Sequence, residues 1–406
     1  MHALSPRLWC YFTPRPIDFS RMSRKPLGGR QSRRIRLKLR DQKHPPLFGS
    51  IGFRPPRLTA QAAKALIRAD EREEAMERRT LGRTGLDVSV LGFGCGAVGG
   101  LMVRGSPGDQ ERAVARAIEL GISYFDTAAM YGNGESERNL GRVMKSLGPD
   151  IRVGTKVRIP AGERNRVAAA VTTSLEASLQ RLQLDGVDLF QLHNHITAEG
   201  SDSDLTPEIV LGEVVPAFER LREQGKTRFY GITAVGDTAA LHRAVDARVF
   251  DTAQVSYNLL NPSAGTKVAP GYPAHDFGNL LAHTKAADMG VIAIRVLAAG
   301  ALSGTEQRHP LGSPSVEPIG SGSSYRIDVE RARRLEPLVR EGFADTLIEL
   351  AIRFVISHDA VSTALVGIST LEHLEHAAAA ANKGPLPREA IERIVAAQQS
   401  FVGESR

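Results

Sequence analysis

The chain has 406 residues, 42% hydrophobic and 24% charged, which is ordinary globular composition and enough length for a large core. Its formal charge of +7 is unevenly placed: residues 1–75 carry 17 Lys and Arg against 6 Asp and Glu, a formal +11, which leaves residues 76–406 at −4. A mildly acidic body excludes the basic footprint of a nucleic-acid-binding domain, and no apolar run reaches the roughly 20 residues of a membrane-spanning helix. Two cysteines, Cys10 and Cys95, cannot build a disulfide framework, and a reducing, cytoplasmic location fits them.

Taken in order, residues 1–75 hold basic clusters such as Ser32-Arg33-Arg34-Ile35-Arg36 and chain breakers such as Pro45-Pro46. This segment is expected to be a basic, mostly disordered extension. Two origins stand for it: an Arg-rich presequence, since Asp18 is the one acidic residue in the first forty, or an upstream extension with Met76 as the true start. Residues 79–90 then suggest a hairpin turning at Thr84-Gly85, placed to plug one end of a barrel. After it, β-type runs at 91–93, 124–127, 151–156, 189–193, 229–233, 253–257, 291–296 and 364–367 alternate with helical patterns. That alternation predicts βα units around a parallel sheet. In residues 166–182, Val167, Val171, Leu175, Leu179 and Leu182 recur at three or four residues and form one buried stripe. Residues 261–279 and 304–324, rich in Gly, Pro and small residues, are expected to be long loops after strands six and seven.

Four residues suited to protonating a carbonyl sit at strand ends: Asp126 and Tyr131 after strand two, Lys156 ending strand three and His193 ending strand four. In a parallel barrel that edge carries the chemistry. Tyr131 is the best proton donor, and a neighbouring Lys156 ammonium is expected to lower its pKa from a reference near 10. Asp126 can pair with Lys156, and His193 can orient a carbonyl oxygen. His193-Asn194-His195 raises a rival: two histidines one residue apart on a strand share a face and can bind a metal. The ligand count for a metal centre is unmet, because His242, His283 and His373 fall in predicted helices.

The motif Phe125-Asp126-Thr127-Ala128 with Tyr131-Gly132, continued by residues 135–141, resembles the aldo-keto reductase family. Gln254-Val255-Ser256-Tyr257-Asn258 and Leu365-Val366-Gly367-Ile368-Ser369 are further matching pieces, and the likeness runs from Met76 to Phe401. The resemblance implies a (β/α)8 TIM barrel over residues 76–406 with an N-terminal β-hairpin plug. It also implies an NAD(P)H-dependent enzyme acting on a small carbonyl or alcohol, with Asp126, Tyr131, Lys156 and His193 as catalytic residues. Carried over by position, Gln254 holds the nicotinamide carboxamide, Thr233 stands for a usual serine, and Ala234 replaces a usual asparagine. Arg295 reaches cofactor phosphate; Ser369 and Thr370 occupy a pair that often includes an arginine, and Glu375 lies near the adenosine end. The resemblance favours NADPH, with NADH as the alternative, and expects no metal. A second role within the family is that of a cofactor-binding regulatory subunit of a membrane channel with little turnover. The wall residues Tyr257, Tyr272, Phe277 and Tyr325 are candidates for an apolar entrance, with core packing as the competing role.

Overall fold

Eight short apolar runs hydrogen-bond side by side, all in parallel, and close on themselves. This computed structural model describes residues 76–404 apart from residues 202 and 321, so the disordered extension expected for residues 1–75 lies outside the described residues. A hairpin of β1 (Arg78–Thr80) and β2 (Asp87–Ser89) precedes the barrel. The staves are β3 (Leu91–Gly94), β4 (Tyr124–Asp126), β5 (Arg152–Val157), β6 (Val187–Leu192), β7 (Thr227–Ala234), β8 (Thr252–Ser256), β9 (Gly290–Ile294) and β10 (Thr363–Gly367). Adjacent staves pair in sequence order, and β10 returns to β3. Nearly every stave residue is buried, as expected of strands covered on both faces.

Helices of seven residues or more clothe the barrel. They are α1 (Pro107–Glu119), α2 (Glu135–Leu147), α3 (Val167–Leu182), α4 (Val215–Glu223), α5 (Thr238–Asp246), α6 (Leu280–Ala286), α7 (Tyr325–Arg333), α8 (Leu347–Ile356), α9 (Leu371–Asn382) and α10 (Arg388–Gln399). The five apolar positions picked out in α3 are all buried, so its stripe is the face laid on the sheet. The two long loops occur as expected: no helix or strand lies between β8 and α6, and the described residues of 304–324 run irregularly up to α7.

The hairpin closes one end of the barrel. Leu81, Leu86 and Val88 pack with Tyr124, Leu189 and Ile292, whose side chains fill the barrel interior. Gly82 makes that approach with a φ of 49°, and a Cβ there would collide with the Gly290 amide. One strand ends earlier than the sequence suggests. Residues 291–296 were expected to be extended, but β9 stops at Ile294 because Arg295 takes a φ of 59°, which leaves the strand conformation. Ala298 and Ala299 also have positive φ, so the chain turns sharply at the mouth.

Candidate active site

Alternation along β4 turns Tyr124 and Asp126 to the barrel interior and Phe125 to the helices. Lys156, next to last on β5, points into the same interior. Its Nζ pairs with Asp126 Oδ1, donates to the Thr127 carbonyl at 2.8 Å, and donates to the Tyr131 hydroxyl at 3.2 Å. Asp126 and Lys156 are each 1% exposed, so neither charge is screened by water. The other carboxylate oxygen is satisfied as well. Asp126 Oδ2 accepts from the Tyr124 hydroxyl at 2.8 Å and from the Gln254 amide at 2.7 Å.

The loop bearing Tyr131 is anchored by the first turn of α2. Ser136 Oγ donates to the Cys95 carbonyl at 2.9 Å and shares a 2.8 Å hydrogen bond with Thr127 Oγ1. Glu137, fully buried, accepts from Thr155 at 2.5 Å and from Arg181 at 2.6 Å, which fixes the helix to β5 beside Lys156. His193 follows β6, its amide donating to the Val157 carbonyl at 2.7 Å. Its ring meets Tyr131 edge-on, with centroids 5.9 Å apart. The structure therefore brings all four predicted catalytic residues into one cluster at the carboxyl ends of β4, β5 and β6.

The electrostatics correct one expectation. Burial raises the Tyr131 pKa; Lys156 pulls it down, Asp126 pushes it up again, and the net shift is upward rather than downward. Burial alone would lower Lys156, but Asp126 and Tyr131 outweigh it and hold the ammonium above its ordinary value. Tyr124 is raised well above the phenol range, by burial first and then by Asp126, so it stays a donor. Burial, aided by the Lys156 and Arg158 cations, pushes His193 down to about 3. His193 is thus a neutral imidazole at physiological pH. Its Nδ1 is buried and meets no hydrogen-bond partner among the described residues.

The shared-face premise of the metal reading does not hold. β6 ends at Leu192, and the chain turns at Asn194, whose side chain bonds Ile159 and the Ser203 carbonyl. His195 instead lies beside Asp204, Nδ1 to Oδ1 3.7 Å, with about half its side chain exposed. His242, His283 and His373 do fall in helices α5, α6 and α9.

Of the proposed cofactor contacts, Thr233 lies on β7, Gln254 on β8, Arg295 directly after β9, Ser369 and Thr370 between β10 and α9, and Glu375 within α9. Thr233 and Gln254 are cross-strand partners on β7 and β8, with the Thr233 hydroxyl 3.3 Å from the Gln254 amide oxygen. Gln254 has one amide hydrogen committed to Asp126, which leaves the second available. Ser369 donates to the Gly99 carbonyl at 2.6 Å, and Thr370 caps α9 by accepting from the His373 amide at 3.1 Å. Glu375 pairs with Arg116 of α1, Oε1 to Nε 3.1 Å. Among the wall candidates, Tyr257 stacks on Phe354 with centroids 5.1 Å apart and Tyr272 donates to the Leu260 carbonyl at 2.8 Å, so both are packing groups. A larger cavity of about 610 Å³ lies by Ile151, Val153, Leu182 and Asp188, at the opposite ends of β5 and β6. It is remote from the cluster, and strand polarity argues against it as the reaction site.

Sequence reasoning missed Tyr124, which the two-residue alternation with Asp126 could have shown. It also missed Arg158, directly after β5, whose charge reaches both His193 and His195.

Fold and site together define a barrel enzyme of the oxidoreductase class. The chain belongs to the aldo/keto reductase family, whose profile matches residues 90–399. It is 31% identical over 311 residues to L-galactose dehydrogenase of Arabidopsis thaliana, covering 75% of this chain and 88% of that protein. D-threo-aldose 1-dehydrogenase of a Pseudomonas species is 34% identical over 215 residues, 46% of this chain and 62% of its own. The holo form of an aldo-keto reductase from Bacillus halodurans superposes with a TM-score of 0.60 at 25% identity, covering 82% of this chain and 98% of that one. The protein is an NAD(P)-dependent enzyme acting on small-molecule carbonyl or alcohol substrates. Among the described residues, no helix is long and apolar enough to cross a membrane.

Proposed function

We propose that the protein reduces an aldehyde or ketone to an alcohol, or oxidises a sugar-like alcohol in the reverse direction, with Tyr131 as the proton donor. The observation that carries this reading is the buried Lys156 ammonium, which links the Asp126 carboxylate to the Tyr131 hydroxyl. The sugar-like option draws on the relatives named for L-galactose and D-threo-aldoses.

Within this reading, the Tyr131 hydroxyl gives its proton to the substrate oxygen. The phenolate left behind faces Lys156, whose ammonium stabilises it; Asp126 holds that ammonium in place and protonated. His193, neutral, donates one ring N–H to the carbonyl oxygen and orients it. Tyr124 and Gln254 fix Asp126 so that one of its oxygens faces Lys156. When bound, the nicotinamide cofactor supplies the hydride. The orphaned His193 Nδ1 and the spare Gln254 hydrogen support this reading, since each is polar capacity left open beside the Asp126–Lys156–Tyr131 cluster. Thr233, Gln254, Arg295, Ser369, Thr370 and Glu375 are the proposed cofactor contacts, NADPH the proposed cofactor and NADH the alternative. A cytoplasmic location belongs to the same proposal.

The test follows reduced-nicotinamide absorbance with NADPH and NADH across simple aldehydes and aldoses. Turnover of at least one substrate is expected. Tight cofactor binding with no turnover across the panel would sink the reading and favour the channel-subunit role.

A further inference from the structure

Tyr124 packs in the barrel interior among Leu81, Leu86, Val88, Leu189 and Ile292, fully buried, and carries its hydroxyl up to the underside of the reaction cluster. A phenylalanine would fill that place as well, and a buried hydroxyl costs the fold unless it is bonded. This one donates to Asp126 Oδ2 at 2.8 Å, and the Gln191 amide of β6 lies 3.5 Å from the same hydroxyl oxygen. An ionised carboxylate only accepts, so the phenol is the donor.

The barrel makes room for this hydroxyl. On β3, a Cβ at Gly92 would come within 3.2 Å of the Tyr124 ring; on β5, a Cβ at Gly154 would collide with the Tyr124 hydroxyl. Neither glycine has a positive φ, so space rather than backbone conformation calls for them. Gly154 is the cross-strand partner of Asp126 and stands two residues before Lys156, so the cleared space lies beneath both members of the ion pair.

Asp126 turns Oδ1 to Lys156 and gives Oδ2 to Tyr124 and Gln254. Negative charge drawn to the Oδ2 donors acts less on Lys156 and Tyr131. Tyr131 is faced by Asp126 of β4, Lys156 of β5, Cys95 after β3 and His193 after β6. Burial first raises the Tyr131 pKa, Lys156 opposes that rise and Asp126 adds to it; the Cys95 thiol is itself pushed far up by burial and stays neutral. The other carboxylate acting on Tyr124, Asp188 of β6, is engaged elsewhere: it accepts from the Val153 amide at 2.9 Å and from Arg228 at 2.7 Å.

We propose that Tyr124 is a positioning residue of the proton-donor system: its hydroxyl takes up part of the Asp126 charge that would otherwise act on Lys156 and Tyr131, and Gly154 is kept bare to admit it. This rests on the reading above in which Tyr131 gives its proton to a carbonyl. Beside the full Asp126 charge, Tyr131 holds its proton harder and passes it on more slowly.

The full-length protein is compared with Tyr124→Phe, which keeps the ring and loses only the hydroxyl. Single-turnover oxidation of NADPH is measured with butanal and with glyceraldehyde, and NADPH affinity is taken from its fluorescence. Ionisation of Tyr131 is followed by NMR of protein labelled with carbon-13 at tyrosine Cζ, assigned with Tyr131→Phe. Tyr124→Phe should lose about threefold to tenfold in rate, part of what one hydrogen bond to a charge carries, with NADPH affinity unchanged. It should also move the Tyr131 midpoint to higher pH, which loss of a merely structural hydroxyl would not do. Gly154→Ala, which keeps the hydroxyl but displaces it, should change both readouts in the same direction and add little to Tyr124→Phe. A rate loss under about threefold, or a Tyr131 midpoint that stays in place or falls, overturns the proposal. So does a Gly154→Ala protein with both readouts at their wild-type values. If wild type oxidises no NADPH with either aldehyde, the reductase reading fails, and the Tyr131 titration alone decides the part given to Tyr124.

Discussion

Tyr131 keeps its proton because burial outweighs the Lys156 ammonium, and His193 stays neutral because burial and two cations oppose its protonation. Both facts shape the pH profile. With the Tyr131 pKa raised, the reduction rate should show no alkaline loss below the ordinary phenol value of about 10. With His193 near 3, it should also lack an acid limb at the ordinary histidine value of about 6.5. An inflection near that value that disappears in His193→Gln would show that the imidazole titrates as if exposed. The four candidate positions were legible because strand ends could be read from short apolar runs. The sign of the Tyr131 shift was not, because a sequence shows the neighbouring Lys156 but not the depth of burial. Thr370 illustrates the same limit: it caps α9, and one Thr before a helix is equally compatible with the cofactor contact proposed for it.

Elements position these residues through a few contacts that substitution can test. Leu175 is fully buried at the centre of the α3 stripe, so Leu175→Ala should cost about 2–5 kcal/mol in denaturant unfolding, the range for large-to-small core changes. A loss of only a few tenths would mean that the helix does not pack as described. Gly82 combines a φ of 49° with close backbone approach to Gly290. Gly82→Ala should therefore destabilise by about 1 kcal/mol or more, and should loosen the plug without touching the mouth. Strand existence was readable throughout, because each stave is a short, doubly buried run. The end of β9 was not: Ile294, Arg295 and Val296 are all compatible with an extended chain, and only the left-handed turn at Arg295 ends the strand.

At the scale of the whole molecule, the barrel closes within the described residues: β10 pairs with β3, and the hairpin that fills its base begins at Arg78. A protein beginning at Met76 is accordingly expected to match the full chain in unfolding midpoint and cofactor affinity, measured by thermal melt and titration. A large drop in either would give residues 1–75 a part in the folded body. The loops at 261–279 and 304–324 were legible from their composition, yet the small cavity between them, lined by Asn261, Arg295 and Ile319 among others, was not, since it depends on which side chains the turns at the mouth direct inward.

The central claim is that Tyr131, poised by Lys156 and Asp126, delivers the proton. Its most direct test is the single-turnover rate of nicotinamide oxidation by saturated wild type and Tyr131→Phe, with cofactor affinity measured in parallel. The account predicts a fall of about 10²–10⁴ in the rate, the scale of general acid catalysis, with cofactor affinity essentially retained. A Tyr131→Phe protein that turns over within about threefold of wild type, far short of that scale, would contradict it.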